Sequence, residues 1–179
     1  IMVAPSDESS TRPGGPPPGP VPEEATVLLV IDVGNTQTVV GLYDSGDRSH
    51  QLLDHWRMAT RAERTSDELA LFIRHLLATR GLELGSDIRG VAVSSGVPSI
   101  TFELRRMCER YLELEPVILG TGVKTGMPVL YDNPREVGAD RIANAVGAYD
   151  LYGGPTIVVD FGTATTFDVI SEKGEYLGG

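Results

Sequence analysis

The chain has 179 residues, of which 41% are hydrophobic and 22% charged, with a formal net charge of −10. That acidity argues against a protein that grips nucleic-acid phosphates. No apolar run approaches the ~18 residues of a membrane-spanning helix, and the single Cys108 excludes an internal disulfide.

Residues 1–25 hold seven of the twelve prolines and almost no large apolar side chains. Such a segment cannot bury enough surface to offset its ordering entropy, so a disordered Pro-rich tail is expected. It has no basic stretch leading into an apolar core, so it does not read as a secretory signal.

Order is expected from Thr26 onward. Val27-Leu28-Leu29-Val30-Ile31 reads as a strand buried on both faces. Val39-Val40-Gly41-Leu42-Tyr43 reads as a second strand, and His55 to Met58 as a weak third. Thr65-Ser66-Asp67-Glu68 has the capping-box pattern. Leu69, Phe72, Ile73, Leu76 and Leu77 follow at helical spacing, with Gly81 as a stop. Val91-Ala92-Val93 predicts a strand, then Ile100, Leu104, Met107 and Tyr111 mark a helix face that includes Cys108 as a small buried residue. Pro116 to Leu119 predicts a strand, residues 136–149 a helix, and Thr156 to Val159 another strand. The fold class expected is therefore α/β, an antiparallel start followed by parallel crossovers.

One signal occurs twice. Val30-Ile31-Asp32-Val33-Gly34-Asn35-Thr36 closes the first strand, and Val158-Val159-Asp160-Phe161-Gly162-Thr163-Ala164-Thr165-Thr166 closes the late one. Each is an apolar strand running into Asp-x-Gly, then small polar residues, then another strand. Glycine permits a sharp turn and a close backbone approach. Successive N–H groups with Asn and Thr side chains line a concavity suited to phosphate, and a strand-end Asp suits a hydrated cation. Two unrelated hairpin turns are the plainer alternative.

A second constellation is Tyr131-Asp132-Asn133-Pro134-Arg135-Glu136-Val137-Gly138-Ala139-Asp140-Arg141. Pro134 bars helix just before itself, and Glu136 suits the start of the next helix. Asp140 and Arg141 fall in its first turns, either as a carboxylate base with an anion-binding Arg or as a helix-start acid and a surface Arg. Other patterns fail: no Gly-x-x-x-x-Gly-Lys-Ser/Thr is present, Gly120-Thr121-Gly122 misses the dinucleotide spacing, and Lys124-Thr125-Gly126 lacks its Ser-x-x-Lys companion. His50, His55 and His75 show no metal-ligand spacing and read as solvated.

Asp32 to Thr36, Tyr131 to Pro134 with Gly138 to Arg141, and Asp160 to Thr165 together resemble, in order and spacing, the type III pantothenate kinases of the acetate and sugar kinase, heat-shock ATPase and actin superfamily. Trp56-Arg57 with Thr60, Thr65 to Glu68, and Ser94-Ser95 before Val97-Pro98 agree. The resemblance covers about Val27 to Gly179. It implies a ribonuclease H-like mixed sheet, with a first domain over residues 26–154 and the opening hairpin of a second, cut short, over residues 155–179. It implies ATP-dependent phosphorylation of pantothenate, the first step of coenzyme A synthesis, with Mg²⁺ and K⁺ or NH₄⁺.

By the same resemblance Asp32, Val33, Gly34, Asn35, Thr36, Gln37, Thr38 and Val39 form the first phosphate loop, with Asp32 near Mg²⁺, directly or through water. Thr163 contacts ATP and Asp160 holds the monovalent cation. Tyr131, Gly138, Ala139, Asp140 and Arg141 contact pantothenate, with Asp140 as proton acceptor. A cytoplasmic homodimer without nucleic-acid or membrane partners is implied. A fragment ending at Gly179 is expected to be poorly stable and inactive. A sugar kinase of the same superfamily and a non-catalytic regulatory protein on this fold are the competing readings.

Overall fold

The computed structural model describes residues 21, 26–44, 46, 51–120, 123–162 and 164–179. Most of the expected tail lies outside the described residues. The described residues form two compact units, one within Pro20–Val123 and one within Lys124–Gly179.

In the first unit, β1 (Val27–Val33), β2 (Gln37–Asp44) and β3 (Gln51–Ala59) form an antiparallel meander. Helix α1 (Ser66–Ala78) then crosses to β4 (Ile88–Ser95), and α2 (Pro98–Tyr111) to the two-residue β5 (Val117–Ile118). The sheet order is β3-β2-β1-β4-β5, with β4 parallel to β1 and β5 parallel to β4. This is the mixed, ribonuclease H-like sheet that the resemblance implied. The third strand is longer than its weak pattern suggested, because Trp56 and Met58 pack on the core from alternate positions.

Alternation in β1 places Val27, Leu29, Ile31 and Val33 in the core, while Leu28 and Val30 are only half-buried. The strand is therefore not sealed equally on both faces. Its buried face meets Ile73 and Leu77 of α1 and Leu104, Met107 and Cys108 of α2.

The capping box forms as expected. Glu68 N donates to Thr65 Oγ1 at 3.3 Å, and Thr65 N donates to Glu68 Oε2 at 2.9 Å. Asp67 ties this helix to α2 by accepting from Arg110 Nη1 at 3.0 Å and Tyr111 OH at 2.7 Å. His55 and His75 are exposed, in line with a solvated role; His50 lies outside the described residues.

In the second unit a 3₁₀ turn (Pro134–Glu136) precedes α3 (Ala139–Tyr152), followed by β6 (Thr156–Phe161), β7 (Thr165–Ile170) and β8 (Tyr176–Gly178) in an antiparallel sheet of order β6-β7-β8. The helix was expected from residue 136. Instead Asn133 Oδ1 accepts from Arg135 N at 3.4 Å and closes a separate turn, so Glu136 belongs to that turn and α3 starts at Ala139. Ala145 and Ala148 of α3 pack with Val158, Ile170 and Tyr176 of the sheet. That packing groups α3 with the second sheet, whereas the sequence-based boundary after residue 154 would group it with the first.

Candidate functional site

The duplicated signal folds into two antiparallel hairpins that carry the Asp and Gly at matching positions. Loop 34–36 joins β1 to β2 and loop 162–164 joins β6 to β7, three residues in each case. Asp32 is the penultimate residue of β1 and Asp160 the penultimate residue of β6, each followed two places on by the loop's first glycine. Gly34 N donates to Gln37 O at 3.0 Å, and Gly162 N donates to Ala164 O at 3.1 Å. A Cβ on Gly34 would sit 3.2 Å from Gln37 O, tighter than ordinary side-chain contacts, so the turn suits glycine.

Around the first loop, Asp32, Gly34, Asn35, Thr36 and Gln37 are exposed, while Val33 and Thr38 are buried and Val39 is half-buried. Asp32 pairs across the sheet with Val39 and, on the parallel side, with Ser94. The Ser94 hydroxyl is buried with no hydrogen-bond partner among the described residues. Thr60 braces the loop from the end of β3: its N–H donates to Thr36 O at 2.9 Å and its hydroxyl to Gly34 O at 2.7 Å. Thr38 Oγ1 lies 2.9 Å from Thr60 Oγ1. Thr60's single proton is committed to Gly34, so Thr38 is the donor in that pair. A cleft of about 520 Å³ opens beside this loop, lined by Asn35, Thr60, Arg61 and Val97 among others.

On the second unit Thr163 lies outside the described residues. Asp160 is half-buried, and Asn144 Nδ2 of α3 donates to its Oδ2 at 3.4 Å. Asn144 stands one helical turn beyond Asp140 and Arg141, so an i, i+3/i+4 count along α3 would have found it.

Ala139, Asp140 and Arg141 open α3, with Gly138 as its N-cap. Asp140 is exposed and its Oδ1 accepts from Arg141 N at 2.9 Å. Gly138 leaves the space that this carboxylate occupies. The ring of Tyr131 packs on Gly178, whose φ is +126 and where a Cβ would lie 3.0 Å from Tyr131 Cδ2. The chain entering this region is held to β8, since Leu130 N donates to Tyr176 O and Tyr176 N to Pro128 O, both at 2.8 Å.

Arg141 does not stand free. Its Nε donates to Asp168 Oδ1 at 2.8 Å, its Nη2 lies 2.6 Å from the same oxygen, and Nη2 also donates to Phe167 O at 3.2 Å. Asp168 is fully buried, and Tyr176 OH donates to its Oδ1 at 2.6 Å. Burial opposes Arg141's charge, but the bond to Asp168 and its negative charge outweigh that, so the guanidinium is held more firmly protonated than usual. Burial, then the bond to Asp168, push the Tyr176 phenol well above its ordinary range. The sequence reading missed Asp168 and Tyr176. The inward parity of Thr166, Asp168 and Ile170 in β7 was the available signal: an acid on a core-facing position requires a partner.

Among the described residues, no group of three or more His, Cys, Asp or Glu side chains gathers to hold a metal ion, and no helix is long and apolar enough to cross a membrane. Cys108 is buried in the first core, and desolvation pushes its thiol up to about 12. It therefore remains a protonated packing residue.

A family model described as type III pantothenate kinase matches residues 28–179. The chain is 54% identical over 157 residues to a type III pantothenate kinase of Streptomyces griseus. It is 55% identical over 153 residues to one of Myxococcus xanthus. Each match covers 86% of this chain and 58% of the relative, so the chain spans well under two thirds of the curated relatives' length. Among solved structures, a reductive activator for a corrinoid, iron-sulfur protein superposes with a TM-score of 0.54 at 16% identity, over 86% of this chain and 30% of that one. At that identity the likeness is one of fold alone.

Proposed function

The chain belongs to the type III pantothenate kinase family, and on that premise we propose that the protein transfers the γ-phosphoryl group of ATP to the hydroxyl of pantothenate, the first step of coenzyme A synthesis. The observation that carries the phosphoryl chemistry is the pair of three-residue glycine hairpins, each with an Asp at the end of its leading strand. Phosphoryl transfer requires positioning and charge neutralisation more than covalent chemistry from the protein. Turns rich in N–H donors supply both.

The donor set suits the cations of this reaction. Mg²⁺ is held through one or two carboxylates together with substrate phosphates, and Asp32 is an exposed carboxylate at the first loop. K⁺ or NH₄⁺ takes oxygen donors, and the Asp160 carboxylate, steadied by Asn144, is one. When bound, these ions offset the negative charge of the phosphates. Residues 32–39 would line the first phosphate site, and Thr163 would contact ATP from the second hairpin.

On the acceptor side, Asp140 would take the hydroxyl proton, a role supported by the exposure of its carboxylate at the start of α3. Tyr131, Gly138 and Ala139 would complete the pantothenate contacts. Arg141 would meet the pantothenate carboxylate, for which its planar fork is better shaped than Lys. The protein acts as a cytoplasmic homodimer in this reading, a property taken from the resemblance alone.

The test is ADP release by the full-length protein over a panel of pantothenate, hexoses and acetate, with and without K⁺ or NH₄⁺. Turnover with pantothenate alone, dependent on Mg²⁺ and the monovalent cation, is expected. Turnover on a hexose or acetate in place of pantothenate would overturn the assignment. Sedimentation of the same protein at twice the chain mass is the expected oligomeric result.

A further inference from the structure

Asp168 is a fully buried carboxylate to which the reaction described above gives no task. One of its oxygens, Oδ1, accepts from Arg141 Nε at 2.8 Å, contacts Arg141 Nη2 at 2.6 Å and accepts from Tyr176 OH at 2.6 Å. The other, Oδ2, is buried and has no hydrogen-bond partner among the described residues. A buried acid is tolerated only when charge and hydrogen bonds compensate it. Here the compensation comes from Arg141, the residue assigned to an anionic substrate group, and the partnership crosses from α3 to β7.

The arrangement fixes the guanidinium. Nε and Nη2 face inward on Asp168 and Phe167 O, while Nη1 meets no acceptor among the described residues. Arg141's side chain is 24% exposed, so one edge of the fork is anchored and a remainder faces outward. A guanidinium is planar, so anchoring two of its nitrogens also sets the direction of the third. Tyr176, itself held through its backbone to Pro128 O and Leu130 N, keeps the Asp168 carboxylate from turning.

We propose that Asp168, steadied by Tyr176, is a positioning residue that aims Arg141 at the carboxylate of the acceptor, and so makes the enzyme prefer an anionic acceptor over its neutral counterpart. The proposal rests on the kinase reading and goes one step past it. Asp168 touches neither substrate. It acts by holding Arg141, so its loss should be felt only by a substrate that uses Arg141.

The test compares pantothenate with an analogue whose carboxylate is replaced by a neutral amide. Asp168→Asn, Tyr176→Phe, Arg141→Gln and the double variant Asp168→Asn with Arg141→Gln are assayed in the full-length protein. Asp168→Asn is expected to raise the KM for pantothenate at least tenfold, with the KM values for ATP and for the amide within twofold of wild type. In the Arg141→Gln background the Asp168 change should add less than twofold. Parallel losses for both acceptors, a matching rise in the KM for ATP, or full additivity with Arg141→Gln would overturn the proposal and leave Asp168 a purely structural residue. Should Asp168→Asn not accumulate as folded protein, Tyr176→Phe decides. A rise of about threefold or more in the KM for pantothenate, absent for the amide, supports the proposal, and equal values for the two acceptors overturn it. Wild-type protein that phosphorylates neither acceptor overturns the kinase reading and this proposal with it, whereas wild-type activity with unselective variants overturns this proposal alone.

Discussion

The hydroxyl of Thr60 donates to the carbonyl of Gly34 at 2.7 Å, linking the end of β3 to the first glycine of the first loop across 26 residues of sequence. The same hydroxyl accepts from Thr38, and the Thr60 amide donates to Thr36 O at 2.9 Å. One residue thus ties three points of the turn, in addition to the turn's own Gly34 to Gln37 bond. Thr60→Val keeps the shape and removes the hydroxyl. Of the two hydrogen bonds lost, the one to Gly34 O holds the loop itself; at about 1 kcal/mol net for that bond, the KM for ATP should rise roughly fivefold while the KM for pantothenate stays within twofold. Thr60→Ser should restore most of the loss. Unchanged ATP kinetics in the valine variant would show that the loop holds its shape without this brace.

Asp140 presents its carboxylate at the exposed start of α3, with Oδ1 on Arg141 N at 2.9 Å. Asp140→Asn keeps that hydrogen bond available through the amide oxygen but removes the base. General-base help is typically worth 10²–10⁴-fold, so turnover should drop at least tenfold, with the KM for ATP nearly constant. The measurement is steady-state turnover at saturating ATP and pantothenate. A variant that keeps a third or more of wild-type turnover would remove Asp140 from the proton-transfer role.

What was legible in the sequence was what local chemistry dictates. The Asp32 to Thr36 and Asp160 to Thr166 stretches pair strand-type apolar runs with turn residues, and both signals are short-range, so the hairpins form where expected. The capping box at Thr65 is equally local. The start of α3 was missed because Asn133-Pro134 permits either a helix or a separate turn, and the Asn133 side chain decides between them. Asp168 and Tyr176 were missed because their meaning lies in a contact from β7 and β8 to α3, 27 residues from Arg141 to Asp168. Nothing in a linear pattern says which cation a buried acid will meet.

Within the second unit, one face of the sheet is apolar and exposed. Ile157 is 64% exposed, Phe161 82% and Phe167 57%, whereas Val158, Asp168 and Ile170 of opposite parity are buried. The pairs Ile157 with Val169 and Val159 with Phe167 place these side chains side by side. Contiguous exposed apolar surface of this kind marks an interaction site or an aggregation liability. In the 179-residue chain, Phe161→Ser with Phe167→Ser should at least halve the fluorescence of a bound hydrophobic dye. Because the two rings contribute little burial, the urea midpoint should correspond to a change within about 0.5 kcal/mol. Undiminished dye binding would place the accessible apolar surface elsewhere.

Cys108 makes a contribution to stability that depends on alkaline pH. The thiol is fully buried on α2, and desolvation, reinforced by Glu109 and partly offset by Arg105, raises it from the ordinary 9.0 to about 12. A raised value means that the folded state keeps the proton after the unfolded state has lost it. The stabilising contribution is therefore complete below pH 9 and is lost progressively as pH climbs toward about 12. Each unit in that window is worth on the order of 1.4 kcal/mol. Cys108→Ala carries no such proton, so its cost is the constant one of a slightly smaller core residue. Urea unfolding of both proteins at about pH 8 and about pH 10.5 should show the wild type losing roughly 2 kcal/mol relative to the alanine variant. Tyrosine and lysine titrations occur in both proteins and cancel in the comparison. A gap between the two proteins that does not move with pH would mean that the thiol ionises as readily in the folded core as in the open chain.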